Sequence, residues 1–176
     1  MNAPRTGNQG EWYTPRFIID LAIETMGHID LDPASCEAAQ RTVQARMFFD
    51  ADRNGLGLQW RGRVWLNPPS HRKQLRPWMS KLRHEWNNKN IEQACVLVSN
   101  STETQWFQDL WDASLCFVQG RISFEGPNAK SEPAHGSVLA YFGPRHARFG
   151  EVMARLGPVF EFVEPGTRRF RPQLNG

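Results

Sequence analysis

The N-terminal third of the chain shows a helix pattern followed by a strand pattern. Apolar residues after Thr14 recur at helical spacing, at positions 17, 18, 21, 22 and 26. Pro15 suits the first helical position, where its missing N–H costs nothing, and Gly27 is a typical helix stop. Segment 28–32 then alternates polar and apolar residues, which predicts a short strand ending at Pro33.

Helix and strand patterns alternate along most of the remaining chain. Residues 94–98 form a continuous apolar run, typical of a strand covered on both faces in a parallel sheet. Further strands are predicted at 47–50, 63–66, 115–118, 122–124 and 137–142, and further helices at 33–46, 75–86, 106–111 and 146–156. This alternation predicts an α/β fold, with an open, mostly parallel sheet and helices on both faces.

The length of 176 residues suits one domain with a full core. We expect residues 1–10, which are rich in Gly, Asn and Pro, to be disordered and residues 166–176 to form a basic tail, leaving a domain over 11–165. The chain has no apolar run long enough to cross a bilayer and no apolar segment of a signal peptide near its start. A cytoplasmic protein without membrane contact is therefore predicted.

The cysteine and charge patterns limit the kinds of site and partner that the sequence predicts. The three cysteines are far apart and lack a CxxC or a nearby CxxH partner, so the sequence predicts neither a disulfide framework nor a metal site. The net charge is only +3, but no Asp or Glu occurs from Arg53 through His84, where eight Arg and Lys residues lie. Such clustering favours a nucleic-acid surface, with Arg72, Lys73 and Arg76 as candidate contacts, although a solvated helix face would show the same pattern.

Two polar segments directly follow predicted strands, which is where ligands bind in open α/β sheets. The first is Asp32-Pro33-Ala34-Ser35, whose carboxylate can accept hydrogen bonds from the hydroxyl or ammonium groups of a nucleoside-like cofactor, or alternatively cap a helix. The second is Asn67-Pro68-Pro69-Ser70. Its consecutive prolines fix an extended peptide and leave the Asn67 side-chain oxygen and the Pro68 carbonyl as acceptors, which together can hold an NH₂ group.

These segments resemble a known family, the small phage and prophage DNA N6-adenine methyltransferases that use S-adenosylmethionine. The resemblance covers about residues 11–142 and rests on the order and spacing of several short motifs. They are Glu11-Trp12-Tyr13-Thr14-Pro15, Leu31-Asp32-Pro33-Ala34-Ser35, Asn54-Gly55-Leu56 with Trp60, Val64-Trp65-Leu66-Asn67-Pro68-Pro69 and Gly120-Arg121-Ile122-Ser123-Phe124.

The resemblance implies a single Rossmann-like methyltransferase domain and a role for each motif. Trp12, Tyr13, Thr14 and Pro15 would lie beside the methionine end of S-adenosylmethionine, and Asp32, Pro33, Ala34 and Ser35 would form the cofactor loop. Asn67, Pro68, Pro69 and Ser70 would form the catalytic loop. The partner would be double-stranded DNA with the target adenine flipped out, so that its N6 amine donates to Asn67 and Pro68 and attacks the methyl group without a strong general base.

The chain departs from the family pattern at Ser70, where an aromatic residue normally stacks on the flipped base. Such stacking is worth about 1–3 kcal/mol per base, so His71, Trp65 or Trp78 would have to supply a surface instead. The cofactor loop is also poor in glycine.

Two alternatives to a DNA adenine methyltransferase stay open at this point. One is a nucleic-acid-binding protein that keeps the fold with impaired catalysis. The other is an enzyme acting on an RNA base, cytosine N4 or protein glutamine. The sequence gives neither the target site nor the oligomeric state.

Overall fold

The computed structural model describes residues 12–69, 72–126 and 135–161, and for residues 72–74 the backbone alone. The predicted disordered start at 1–10, the predicted basic tail at 166–176, Ser70 and His71 lie outside these described residues. The predicted domain limits of 11–165 therefore stay a prediction.

The helices and strands alternate along the described chain. The helices are α1 (Arg16–Met26), α2 (Glu37–Val43), α3 (Arg72–Asn87) and α4 (His146–Met153), with a 3-10 helix at Gln105–Leu110. The strands are β1 (Leu31–Asp32), β2 (Met47–Phe48), β3 (Gly62–Leu66), β4 (Ile91–Ser99), β5 (Ser114–Phe117), β6 (Ser137–Phe142) and β7 (Val159–Phe160).

One sheet joins these seven strands in the order β2-β1-β3-β4-β6-β5-β7. Strands β2, β1, β3 and β4 pair in parallel, whereas β6 is antiparallel to both β4 and β5, and β7 is antiparallel to β5. Five of the seven strands therefore run in one direction. The mostly parallel α/β sheet is confirmed.

The core lies in two layers, one on each face of the sheet, because neighbouring residues of a strand point to opposite faces. In β3, Val64 and Leu66 pack with α3 and the 3-10 helix, while Trp65 packs with α1 and α4. The same alternation runs through β4, β5 and β6. Helices thus cover both faces, as predicted, and the carboxyl ends of β1, β3 and β4 meet at one edge.

Several elements differ from the predictions. Residues 122–124 are not a strand, since the positive φ angles of Gly120 and Gly126 turn the chain and leave only an isolated bridge between Glu125 and Tyr13. Helix α2 ends at Val43 because Gln44 adopts a left-handed conformation (φ 53°). The helix predicted at 106–111 is a 3-10 helix at Gln105–Leu110, and the β7 edge strand was not predicted.

Candidate active site

A cavity of about 470 Å³ opens at the edge of the sheet where β1, β3 and β4 end. Much of its wall comes from five chain segments that are far apart in sequence. They are Trp12–Thr14, the turn 32–36 after β1, the loop 67–69 after β3, the end of β4 at 97–99, and residues 135–137 at the start of β6. The two segments chosen from the sequence for following strands therefore share one cavity.

Asp32 lines this cavity and is 3% exposed. Burial raises the pKa of its carboxyl to about 7, although hydrogen bonds with Ser35, the backbone N–H of Ala34 and Gln40 act to lower it. The amide nitrogen of Gln40 donates to Asp32 Oδ2 at 2.9 Å and to Ser35 Oγ at 2.8 Å. The turn after β1 thus presents a buried acid held by α2, and not merely a helix cap: the residue at the N-cap of α2 is Cys36.

The loop after β3 places Asn67 half-buried at the cavity wall, with Pro68 buried and Pro69 exposed. Asn67 Nδ2 donates to the carbonyl oxygen of Trp12 at 3.0 Å and to Thr14 Oγ1 at 3.1 Å. The opposite atom of the amide, Oδ1, has no hydrogen-bond partner among the described residues. Asn67 therefore uses its donor atom within the protein and leaves its acceptor atom available to a ligand.

The segment 12–14 is fixed from its other side by residues 124–126. Tyr13 and Glu125 exchange both backbone hydrogen bonds at 2.9 Å, and the ring of Trp12 packs edge-on against Phe124 at 5.6 Å. Phe124 also lines the cavity. The segment thereby links the loop after β3 to the turn after β5.

The aromatic rings suggested as substitutes for the residue missing at position 70 are largely used by the core. Trp65 is 1% exposed and Trp78 is 8% exposed, although both reach the cavity wall. Trp78 also stacks on Trp60 at 6.1 Å. Neither ring offers an open face, and His71 lies outside the described residues.

Most residues predicted for the site line the cavity. They are Trp12, Tyr13, Thr14, Asp32, Pro33, Ala34, Ser35, Asn67, Pro68 and Pro69. Pro15 does not: it was predicted as the first helical residue, but it is buried at the N-cap of α1, one position before the observed first helical residue, Arg16. Ser70 and the side chains of Arg72 and Lys73 lie outside the described part of the chain.

Several cavity residues were not predicted from the sequence. His135, Gly136 and Ser137 reach it because β6 is antiparallel to β4, which brings the start of β6 to the edge where β4 ends. A correct prediction of that strand's direction would have found them. Gly55 lies against the turn 32–36, where a Cβ atom would come within 2.0 Å of the Pro33 carbonyl oxygen.

The positive charge of the acid-free stretch is partly neutralised by acids that lie outside it in sequence. Arg83 Nη1 contacts Asp112 at 2.6 Å, Lys81 pairs with Glu85, and Arg63 lies 3.8 Å from Glu92. Arg76 is exposed on α3, one residue beyond the cavity-lining Leu75. The cationic surface near the cavity is therefore narrower than the sequence implies.

The described ranges 12–69, 72–126 and 135–161 show neither a metal-binding cluster nor a membrane-spanning helix. They contain no group of three or more His, Cys, Asp or Glu side chains placed to hold a metal ion. None of their helices is both long and apolar enough to span a bilayer.

The fold and the cavity define an α/β domain with a candidate ligand site at the carboxyl edge of the sheet. A profile of the DNA N-6-adenine-methyltransferase (Dam) family matches residues 4–145, which is most of the chain. The chain belongs to this family. The sequence-based predictions of an enzyme, of a DNA substrate and of methyl transfer to adenine N6 are thereby confirmed, and enzymes of this class generally use S-adenosylmethionine.

Comparisons with curated proteins and with solved structures add little to this family assignment. No curated protein matches the chain at a significant level. Among solved structures, one match is a protein from Pyrococcus horikoshii described provisionally as an RNA methyltransferase, with 12% identity and a TM-score of 0.49. That match covers 76% of this chain and 86% of the other.

Proposed function

We propose that the cavity binds S-adenosylmethionine beside the target adenine, with segment 12–14 and the turn 32–35 on the cofactor and the loop 67–69 on the base. The observation that carries the proposal is that these three segments, separated in sequence, line one cavity of about 470 Å³. A cavity of this size suits a cofactor-sized ligand, since small-molecule sites span about 300–1,000 Å³. The bound cofactor supplies the electrophilic methyl group.

Asp32 fits the polar end of such a cofactor. It is the one buried carboxylate in the cavity wall of the described chain, and the hydrogen bonds from Gln40 and Ala34 fix its direction. An ionised carboxylate in a mostly apolar cavity forms strong hydrogen bonds with hydroxyl or ammonium donors. We therefore assign Asp32 to a hydroxyl or ammonium group of the cofactor, and Trp12 and Phe124 to its apolar surroundings.

Asn67 and Pro68 fit the adenine amine. The Asn67 Oδ1 atom and the Pro68 carbonyl are two acceptors on a rigid loop, and together they can take both N6 hydrogens. Holding both hydrogens turns the nitrogen lone pair away from the loop, and orienting two reactants in this way lowers the barrier without a strong base. The target base of double-stranded DNA would reach the loop by flipping out of the duplex.

The DNA would approach over α3. Leu75 and Trp78 of this helix line the cavity, so the exposed Arg76 beside them would meet phosphates of a bound duplex. From the charge pattern of the sequence we propose Arg72 and Lys73 as further phosphate contacts. DNA affinity should fall steeply with salt, and Arg76→Ala should reduce that slope by about one. By the family resemblance we further propose a phage or prophage origin, action in the bacterial cytoplasm and no metal requirement.

Calorimetric titration with S-adenosylmethionine tests the cofactor half of the proposal. Asp32→Asn should weaken binding roughly 10- to 100-fold, because a hydrogen bond to a charged group contributes about 1.5–3 kcal/mol. Asp52→Ala, which removes an exposed acid outside the cavity wall, is the control and should bind as the wild type does. Equal affinity of Asp32→Asn and wild type would remove Asp32 from the cofactor site.

A further inference from the structure

Thr14 stands against the catalytic loop and not only beside the proposed cofactor. Its hydroxyl oxygen lies 3.1 Å from Asn67 Nδ2, and the side chain is 3% exposed. The same amide nitrogen also donates to the carbonyl oxygen of Trp12 at 3.0 Å. Both hydrogens of the Asn67 amide nitrogen are thus used within the protein.

This pair of contacts fixes which way the Asn67 amide faces. An asparagine amide has nearly the same shape with its oxygen and nitrogen exchanged, so its partners decide the orientation. The Trp12 carbonyl is an acceptor only and would repel Oδ1. Nδ2 must therefore face segment 12–14, and Oδ1 must face away from it.

The orientation matters because the substrate amine is a donor. With Oδ1 toward the adenine, Asn67 accepts an N6 hydrogen; with Nδ2 toward it, two NH₂ groups would oppose each other and the contact would be lost. A side chain that rotates between these states would be competent for only part of the time.

Segment 12–14 has its own support and does not depend on Asn67 for its position. The paired backbone hydrogen bonds between Tyr13 and Glu125 hold it, and Gly126 lies directly against the Tyr13 ring. Pro15 and the start of α1 hold its other end. The segment can therefore act as a fixed frame for the loop.

We infer that Thr14 is a positioning residue, which fixes the Asn67 amide so that its oxygen accepts the adenine N6 amine. This inference rests on the proposed function of Asn67 and assigns Thr14 a role in the methyl-transfer step, where the family resemblance implies a cofactor contact alone. The Thr14 hydroxyl accepts the second Nδ2 hydrogen, and the Trp12 carbonyl accepts the first.

The test compares Thr14→Val, which keeps the shape and removes the hydroxyl, with Thr14→Ser, which keeps the hydroxyl. Thr14→Val should lower the single-turnover methylation rate roughly 2- to 10-fold, the loss expected for one hydrogen bond, while the KM for DNA and the Kd for S-adenosylmethionine stay within twofold. Thr14→Ser should restore the rate to within twofold of wild type.

A second readout needs neither cofactor nor activity. The NMR resonances of the Asn67 side-chain amide are identified by their disappearance in Asn67→Ala. The hydrogens of this amide should exchange with water faster in Thr14→Val than in wild type, and at the wild-type rate in Thr14→Ser. A purely structural role would change the melting temperature without this selectivity.

The outcomes separate the two proposals. A wild-type rate in Thr14→Val, or a rate loss matched by an equal loss of cofactor affinity, would overturn the positioning role and leave the role of Asn67 intact. Full activity of Asn67→Ala would instead overturn the proposed function of the loop.

Discussion

The side-chain amide of Asn67 donates a hydrogen bond to the carbonyl oxygen of Trp12, 55 positions earlier in the chain. This contact joins the loop after β3 to the segment that precedes α1, and the same segment pairs with Glu125 on its other side. Three distant parts of the sequence therefore define the geometry of one loop. Substitutions near Glu125 should therefore alter the loop after β3 through segment 12–14.

Gly126→Ala should damage the site without touching the catalytic loop. Gly126 has φ +104°, and a Cβ atom there would lie 2.8 Å from the Tyr13 ring, so segment 12–14 must shift. We expect methylation to fall at least about tenfold, since small displacements at a reacting centre are costly.

Gly120→Ala is the matched control for Gly126→Ala. Gly120 also has positive φ (+80°), but nothing lies within 4 Å of its added Cβ atom. Both variants carry a backbone strain of roughly 1–2 kcal/mol, measurable by urea denaturation. Equal activity losses in the two would show that strain alone, and not the displaced segment, is responsible.

Asn67→Ala should abolish methyl transfer, because the acceptor for the adenine amine is removed. Cofactor affinity should stay within a few fold, because the backbone pairing of Tyr13 with Glu125 still holds segment 12–14. Asn88→Ala, at an exposed position just after α3, serves as its control and should retain wild-type turnover. Rates are followed by transfer of a labelled methyl group to DNA. Turnover that survives in Asn67→Ala would exclude this side chain from the mechanism.

The sequence predicts much of this site because its chemistry lies in short segments that follow strands. Asp32 and Asn67 could be chosen since β1 and β3 end beside them and parallel strands end at one edge. The contact between Thr14 and Asn67 could not be predicted, because it depends on how a segment outside the sheet packs across the loop. Residues 135–137 were missed for a related reason: the apolar pattern of β6 does not reveal that it runs antiparallel to β4.

Gln40→Ala should weaken cofactor binding from outside the cavity wall. Gln40 donates to Asp32 and Ser35 and accepts from the backbone N–H of Ala45 at 2.9 Å, so its loss frees the turn and leaves a buried carboxylate oxygen without this donor. We expect a destabilisation of about 1–3 kcal/mol by urea denaturation and a several-fold higher Kd. Gln59→Ala, at an exposed position, should change neither quantity; an unchanged Kd in Gln40→Ala would refute its supporting role.

The buried acid predicts how the stability of the ligand-free protein depends on pH. The pKa of Asp32 is raised from 3.8 to about 7, so the folded state binds more protons than the unfolded state between these values. The protonated Asp32 carboxyl therefore contributes a free energy of folding on the order of a few kcal/mol. This contribution is fully present below about pH 3.8 and is lost as the pH rises through about 7. Thermal melts should show a smaller loss between pH 5 and 8 in Asp32→Asn than in wild type, and identical pH profiles would contradict the raised pKa.

Cofactor affinity should change with pH in the opposite direction. Ionised Asp32 is the stronger acceptor for a hydroxyl or ammonium donor, so the wild-type Kd for S-adenosylmethionine should decrease as the pH rises through about 7. In Asp32→Asn this pH dependence should be absent. An equally strong pH dependence in both proteins would assign it to another group.

Mass spectrometry of nucleosides tests the central claim most directly. Unmethylated double-stranded DNA is incubated with the purified protein and S-adenosylmethionine, then digested, with Asn67→Ala in parallel and cofactor binding measured on both proteins. The account predicts N6-methyladenine with the wild type, none with Asn67→Ala, and comparable cofactor affinity in the two. Cofactor binding by the wild type without any N6-methyladenine in the DNA would contradict it.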